Sequence, residues 1–154
     1  MFQPSEAIIL WRLHLRVSPW RVYEMLSTDQ GRTRFWAESA MEKDGIIHFI
    51  FPNGQHWQAK IVANITPTLF AVEYIGNSIA RFELADDGKG GTLLTLADTG
   101  VAPEERIEVI AGWVSVLLAL KAAVDFDVDL RNHDSNISQG YPNEIFSLRT
   151  KGKR

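Results

Sequence analysis

Few side chains in this sequence could do chemistry, and most are spaced against it. Four histidines, His14, His48, His56 and His133, share no metal-ligand spacing, and no His-Glu-x-x-His frame presents two of them on one helical face. His133-Asp134 looks like half of a metal-hydrolase signature, but no second His and Asp complete it, so it reads as a contact of the chain end. Asp125, Asp127 and Asp129 alternate as in a calcium loop. The sixth place, which needs glycine, is Leu130, and the twelfth, which needs a bidentate glutamate, is Asn136. The loop fails, and Asp125 and Asp129 are expected as solvated carboxylates on one helical face. Gly88-Lys89-Gly90-Gly91-Thr92 lacks the order of a phosphate-binding loop and leads into a strand, so it reads as a hairpin. No Gly-x-Ser-x-Gly elbow occurs, and the absence of cysteine removes thiol nucleophiles, disulfides and iron-sulfur clusters. No metal and no cofactor is expected. What remains is a large stock of bulky apolar side chains and three polar candidates on strands, His48, Arg81 and Asp98, able to orient a ligand.

The elements that would position these groups follow from periodicity. Trp11, Leu13, Leu15 and Val17 alternate with Arg12, His14 and Arg16, a half-buried strand. Ser18-Pro19 then opens a short helix carrying Trp20, Val22, Tyr23 and Leu26. Residues 28–31 break it, and residues 32–36 suggest a second short helix or turn. From Met41 to Gly100, glycine and proline punctuate about six strands, 41–43, 46–51, 56–65, 69–75, 79–85 and 92–99. Pro103-Glu104-Glu105 starts the longest helix, which runs to about Leu130. Its uncharged centre, Val109 to Leu120, is apolar around most of its circumference and should be gripped on more than one side. Twelve residues is short of the ~20 that span a bilayer, and the first residues show no basic segment before an apolar run, so neither a membrane span nor a secretory signal is expected. With 154 residues, one domain over 1–134 and an irregular tail over 135–154 are expected.

Charge narrows the partners. The net charge is −3, but four of the 16 Lys and Arg crowd the last six positions, so 12 bases face 19 acids elsewhere, a balance of −7. An acidic body is a poor match to nucleic acid. A cysteine-free chain suits the cytoplasm.

Certain local sequences go further. Val17-Ser18-Pro19-Trp20-Arg21-Val22-Tyr23, Trp36, Gly90-Gly91-Thr92-Leu93-Leu94-Thr95-Leu96, and Gly112-Trp113 with Leu117, Leu120 and Lys121 resemble, in order and spacing, the START/Bet v 1-like (SRPBCC) helix-grip superfamily. Within it they are similar to the C-terminal domain of the activator of Hsp90 ATPase. The resemblance covers roughly residues 7–130. It implies an α+β fold in which a curved antiparallel sheet of six to seven strands wraps a long C-terminal helix, with two short helices after strand one. Residues 129–134 and Gly140-Tyr141 resemble the tail of stand-alone bacterial members, which folds back on the domain. In this branch the strand starting at Thr92 commonly ends in histidine, and here the position is Asp98, so no inference from that histidine carries over.

The resemblance also implies an apolar cavity between sheet and helix. Its expected lining is Trp11, Leu13, Trp36, His48, Trp57, Tyr74, Arg81, Phe82, Leu96, Asp98, Trp113 and Leu117. Alternation leaves His48 open: it faces inward if Ile46 and Ile50 do, and outward if Phe49 and Phe51 do. The leading expectation is a stand-alone domain binding a small hydrophobic or amphipathic molecule, as a monomer or homodimer. The alternatives are a cyclase- or dehydratase-like enzyme using His48 or Asp98 as acid/base, and a protein-interaction module like the Hsp90 activator domain. The enzyme needs an acid or imidazole of shifted pKa inside; the interaction module needs a packed interior and an exposed apolar patch.

Overall fold

In the computed structural model, residues 8–134 are described. Seven strands form one antiparallel sheet: β1 (Ile8–Leu15), β2 (Ser39–Lys43), β3 (Ile46–Ile50), β4 (His56–Ile65), β5 (Leu69–Tyr74), β6 (Ser78–Asp86) and β7 (Thr92–Thr99). Their order is β1-β7-β6-β5-β4-β3-β2, so β2 to β7 follow one another as hairpins and β1 closes beside β7. Asp44 and Gly45 both have positive φ, 54° and 81°, and make the two-residue turn between β2 and β3. The β6–β7 loop is organised by the Asp87 carboxylate, which accepts the N–H groups of Lys89 and Gly91 and contacts His14 Nε2 at 2.8 Å. These bonds, His14 first, hold the Asp87 carboxyl down at about 2.

The helices sit where the sequence puts caps. In α1 (Pro19–Ser27), Ser18 Oγ accepts the Arg21 N–H. The second helix, expected over 32–36, instead runs earlier, as α2 (Asp29–Thr33). Thr28 both ends α1 and caps α2, its Oγ1 accepting the Gly31 N–H at 2.9 Å. Gly31 permits this tight joint, because a Cβ there would lie 2.5 Å from Met25 Cα. Pro103–Glu105 form a 3-10 turn before α3 (Arg106–Phe126). Asp127 then takes a left-handed conformation and returns its N–H to the Ala122 and Ala123 carbonyls, ending the helix short of Leu130. Asp125 and Asp129 therefore do not share a helical face. The Asp125 carboxylate is enclosed, accepting from the Arg16 N–H and Lys121 Nζ, both at 2.8 Å, while Asp129 lies beyond the helix beside Arg131 and His133.

Both sheet edges are covered by helix side chains, which is how an open sheet avoids presenting unpaired backbone. Along β1, Arg106 Nη1 donates to the Ile8 carbonyl and Lys121 Nζ to the His14 carbonyl, so α3 runs beside that edge in the same direction. Along β2, Arg32 donates twice to the Ala40 carbonyl and Asp29 accepts the Glu42 N–H. After α3 the chain turns back across α2. Arg131 donates to the Thr33 and Ala37 carbonyls, and His133 contacts Glu38 and Asp129. The expected tail from 135 onward, with Gly140-Tyr141, lies outside the described residues.

The segment Pro103–Phe126 is long and apolar enough, by length and composition alone, to cross a bilayer. Here Trp113, Leu117 and Leu120 are buried in the core shared with the sheet, while Ile107 and Leu118 stay 69% and 52% exposed on the opposite side. The grip on the helix is thus firm on one side, and an apolar stripe is left outward.

Candidate binding site

On the concave face, alternation turns Ile9, Trp11, Leu13 and Leu15 of β1 inward, with Leu94, Leu96 and Asp98 of β7 and Ser78, Ala80, Phe82 and Leu84 of β6. Asp98 lies opposite Ala80 on one neighbour and Ile9 on the other. From α3, Trp113 Nε1 donates to Asp98 Oδ2 at 2.8 Å. The Trp113 ring meets Tyr74, Phe82 and Trp36 at centroid distances of 4.9, 5.7 and 6.0 Å. Trp36 continues the cluster to Phe49 at 4.9 Å and donates its ring N–H to the Tyr74 hydroxyl at 3.0 Å. Tilted and edge contacts prevail, as ring quadrupoles prefer.

Asp98 is fully buried, and its second oxygen, Oδ1, has no hydrogen-bond partner. The neighbouring Ser78 hydroxyl donates to the Ile75 carbonyl at 3.3 Å. Burial pushes the Asp98 carboxyl above the ordinary range, against the opposing pull of the Trp113 N–H and of the Ser78 hydroxyl close by, which is bonded to the Ile75 carbonyl rather than to Oδ1. Burial likewise raises the Tyr74 hydroxyl, which stays neutral at physiological pH. Two further buried donors, the ring N–H groups of Trp11 and Trp57, also lack partners. Both side chains face inward yet are only half-buried, as are Leu13, Ile61 and Phe51, the last stacked on Phe49.

Trp36, Tyr74, Phe82, Leu96, Asp98, Trp113 and Leu117 come together in this interior, with Trp11, Leu13 and Trp57 at its margin. His48 and Arg81 do not join them. The pairing of Phe49 with Ala40 and Trp57 turns Ile47 and Phe49 inward and leaves His48 exposed on the outer face. Arg81 also points outward and donates to Glu83 at 3.1 Å. With Arg12, His14 and Leu93 it lines an open depression of about 740 Å³ that belongs to the outer side of the sheet. Ser78 carries no sequence signal that would have placed it beside an acid. Between sheet and helix the space is occupied mainly by rings packed against one another. Among the described residues no group of three His, Asp or Glu converges for a metal ion.

A carboxyl raised in the folded state binds its proton more tightly there than in the unfolded chain, so it withdraws stability as pH rises above the unfolded value of about 3.9. Asp98→Asn is expected to be more stable than the parent at pH 7, by about 1.4 kcal/mol for each unit of that elevation. The gain should vanish near pH 3, and urea titrations at the two pH values check this. A variant destabilised at pH 7 but not near pH 3 would mean that the carboxylate is well paired.

A curved seven-stranded antiparallel sheet around one long C-terminal helix, with two short helices after the first strand, defines an α+β helix-grip domain, here with an aromatic interior and an enclosed acid. The chain belongs to the family described as Activator of Hsp90 ATPase homolog 1-like protein, whose profile matches residues 16–125. Among solved structures it is similar to the Aha1 dimer from Colwellia psychrerythraea, with a TM-score of 0.69 and 21% identity, covering 77% of this chain and 96% of that one. It is also similar to SSP2350 from Staphylococcus saprophyticus (TM-score 0.70, 19% identity, 80% and 96% covered) and to DynU16 of the dynemicin biosynthetic locus (TM-score 0.69, 15% identity, 82% and 50% covered). At these identities the likeness is one of fold. No curated protein matches the chain.

Proposed function

We propose that this domain, acting in the cytoplasm, binds a small hydrophobic or amphipathic molecule between the concave sheet face and α3, with Asp98 fixing its polar end. The observation that carries this reading is the unpartnered Oδ1 of a fully buried carboxylate. An unmade hydrogen bond of that kind costs about 1–3 kcal/mol or more, so a fold serving stability alone gains nothing by keeping it. The half-buried Trp57 and Trp11 supply unpartnered donors for a ligand's acceptors. Native mass spectrometry of freshly purified protein, followed by denaturation, is expected to release a stoichiometric small molecule. Protein of bare chain mass, with a melting temperature unmoved by a panel of lipophiles, would sink the reading.

Catalysis of the cyclase or dehydratase kind rests on the same acid: Asp98 is enclosed with its carboxyl raised by burial, whereas His48 is exposed on the outer face of the sheet. A second reading, assembly through protein contacts, is favoured by the exposed Ile107 and Leu118 on α3. It includes a homodimer like the one described for the Colwellia protein. Sedimentation equilibrium distinguishes monomer from dimer.

A further inference from the structure

Asp98 also constrains what kind of molecule the interior takes, provided that the interior is the binding site proposed above. Its two oxygens are not equivalent. Oδ2 is committed as an acceptor, because an indole N–H can only donate, which leaves Oδ1 to face whatever enters. The groups around Asp98 are Trp113 from α3, Ser78 and Ala80 from β6, Ile9 from β1 and Tyr74 from β5, and none of these is basic. Among the described residues no Lys, Arg or His stands at ion-pair distance from it; their ion pairs go to other acids. A buried carboxylate without a counter-charge is held at a cost that a cationic partner would remove. The walls suit the same partner: Trp113, Tyr74, Phe82 and Trp36 form a contiguous set of rings within 6.0 Å of one another's centroids along the Trp113 contacts, and ring faces attract ammonium groups.

We propose that the interior recognises an organic ammonium: a protonated amine on a hydrophobic body, donating N–H to Asp98 Oδ1 with its charge against the Trp113–Tyr74–Phe82–Trp36 rings. A neutral alcohol fills the hydrogen bond but leaves the carboxylate uncompensated. A carboxylate or phosphate head group meets like charge.

The test uses the full chain and three probes of one shape, 4-phenylbutylamine, 4-phenylbutan-1-ol and 4-phenylbutyrate, titrated calorimetrically at pH 7. The amine is expected to bind about tenfold or more tighter than the alcohol, consistent with a desolvated cation–π and charge contact, with the carboxylate weakest. In Asp98→Asn the advantage of the amine over the alcohol should disappear. Equal binding of amine and alcohol to the parent protein overturns the ammonium assignment and leaves the binding site standing, Oδ1 then being satisfied by water. Binding of none of the three overturns both. Because the comparison on the parent protein decides the matter alone, it does not depend on the variant folding.

Discussion

Arg32→Ala is expected to cost about 3–5 kcal/mol of folding stability, as removal of one member of a buried, hydrogen-bonded charged set typically does. The guanidinium is completely enclosed. Its Nε and Nη2 donate to the Ala40 carbonyl at 3.1 and 2.9 Å, its Nη1 to the Leu26 carbonyl at 3.0 Å, and its Nη2 to Asp29 at 2.6 Å. Burial pulls its pKa down, while Asp29 and Glu42 act to keep it charged. Alanine would strand two buried carbonyls, leave a hole the size of the lost side chain, and unfasten α2 from the free edge of β2. The damage reaches the interior, because the Arg32 carbonyl accepts the Trp36 N–H at 2.7 Å and α2 thereby sets the position of the central ring. Lysine should recover only part of the loss, since one ammonium cannot reproduce a planar fork bonded in three directions. Urea unfolding with an unchanged slope and a lower midpoint is the expected result. A loss below about 1 kcal/mol would mean that the edge is held by Asp29 and backbone pairing alone.

Which parts of this could be read in the sequence depended on whether the deciding physics is local. The β1 alternation from Trp11 to Val17 was legible because one face of that strand is buried and the other wet. The Ser18-Pro19 helix start was legible because a cap and a fixed φ act on their own neighbours. Residues 46–51 were not, being apolar on both faces except at His48. A period-2 pattern then has no phase, and only the pairing of Phe49 with Ala40 and Trp57 decides that His48 faces out. The position of α2 turned on Gly31, whose fitness shows only once α1 is packed against it. The end of α3 turned on Asp127, a non-glycine residue at φ 56° that sequence patterns do not mark. For the site, aromatic content announced an interior rich in rings. That Asp98 would keep one oxygen unpartnered while Arg81 turned outward to Glu83 depends on distant strands and on α3.

Trp36→Ala carries the second large expected effect, about 3–5 kcal/mol, the usual range for removing a buried indole. The ring is 3% exposed and packs against Phe35, Phe49, Tyr74, Phe82 and Trp113. Its N–H also holds the Tyr74 hydroxyl, so truncation loosens the wall on which Trp113 and, through it, Asp98 depend. Near-ultraviolet circular dichroism should lose much of its signal together with the drop in midpoint, since five rings lose a common neighbour. Trp36→Phe retains a ring but not the donor and is expected to cost about 1–2 kcal/mol, the ordinary span of a partial core deletion. The phenylalanine variant is the informative one for function: it leaves the fold standing while enlarging the aromatic walls' separation. If those walls hold a ligand, its affinity should shift by more than the modest stability change accounts for. A fall of less than about 1 kcal/mol for Trp36→Ala would contradict the ring spacings and show that the indole borders empty space.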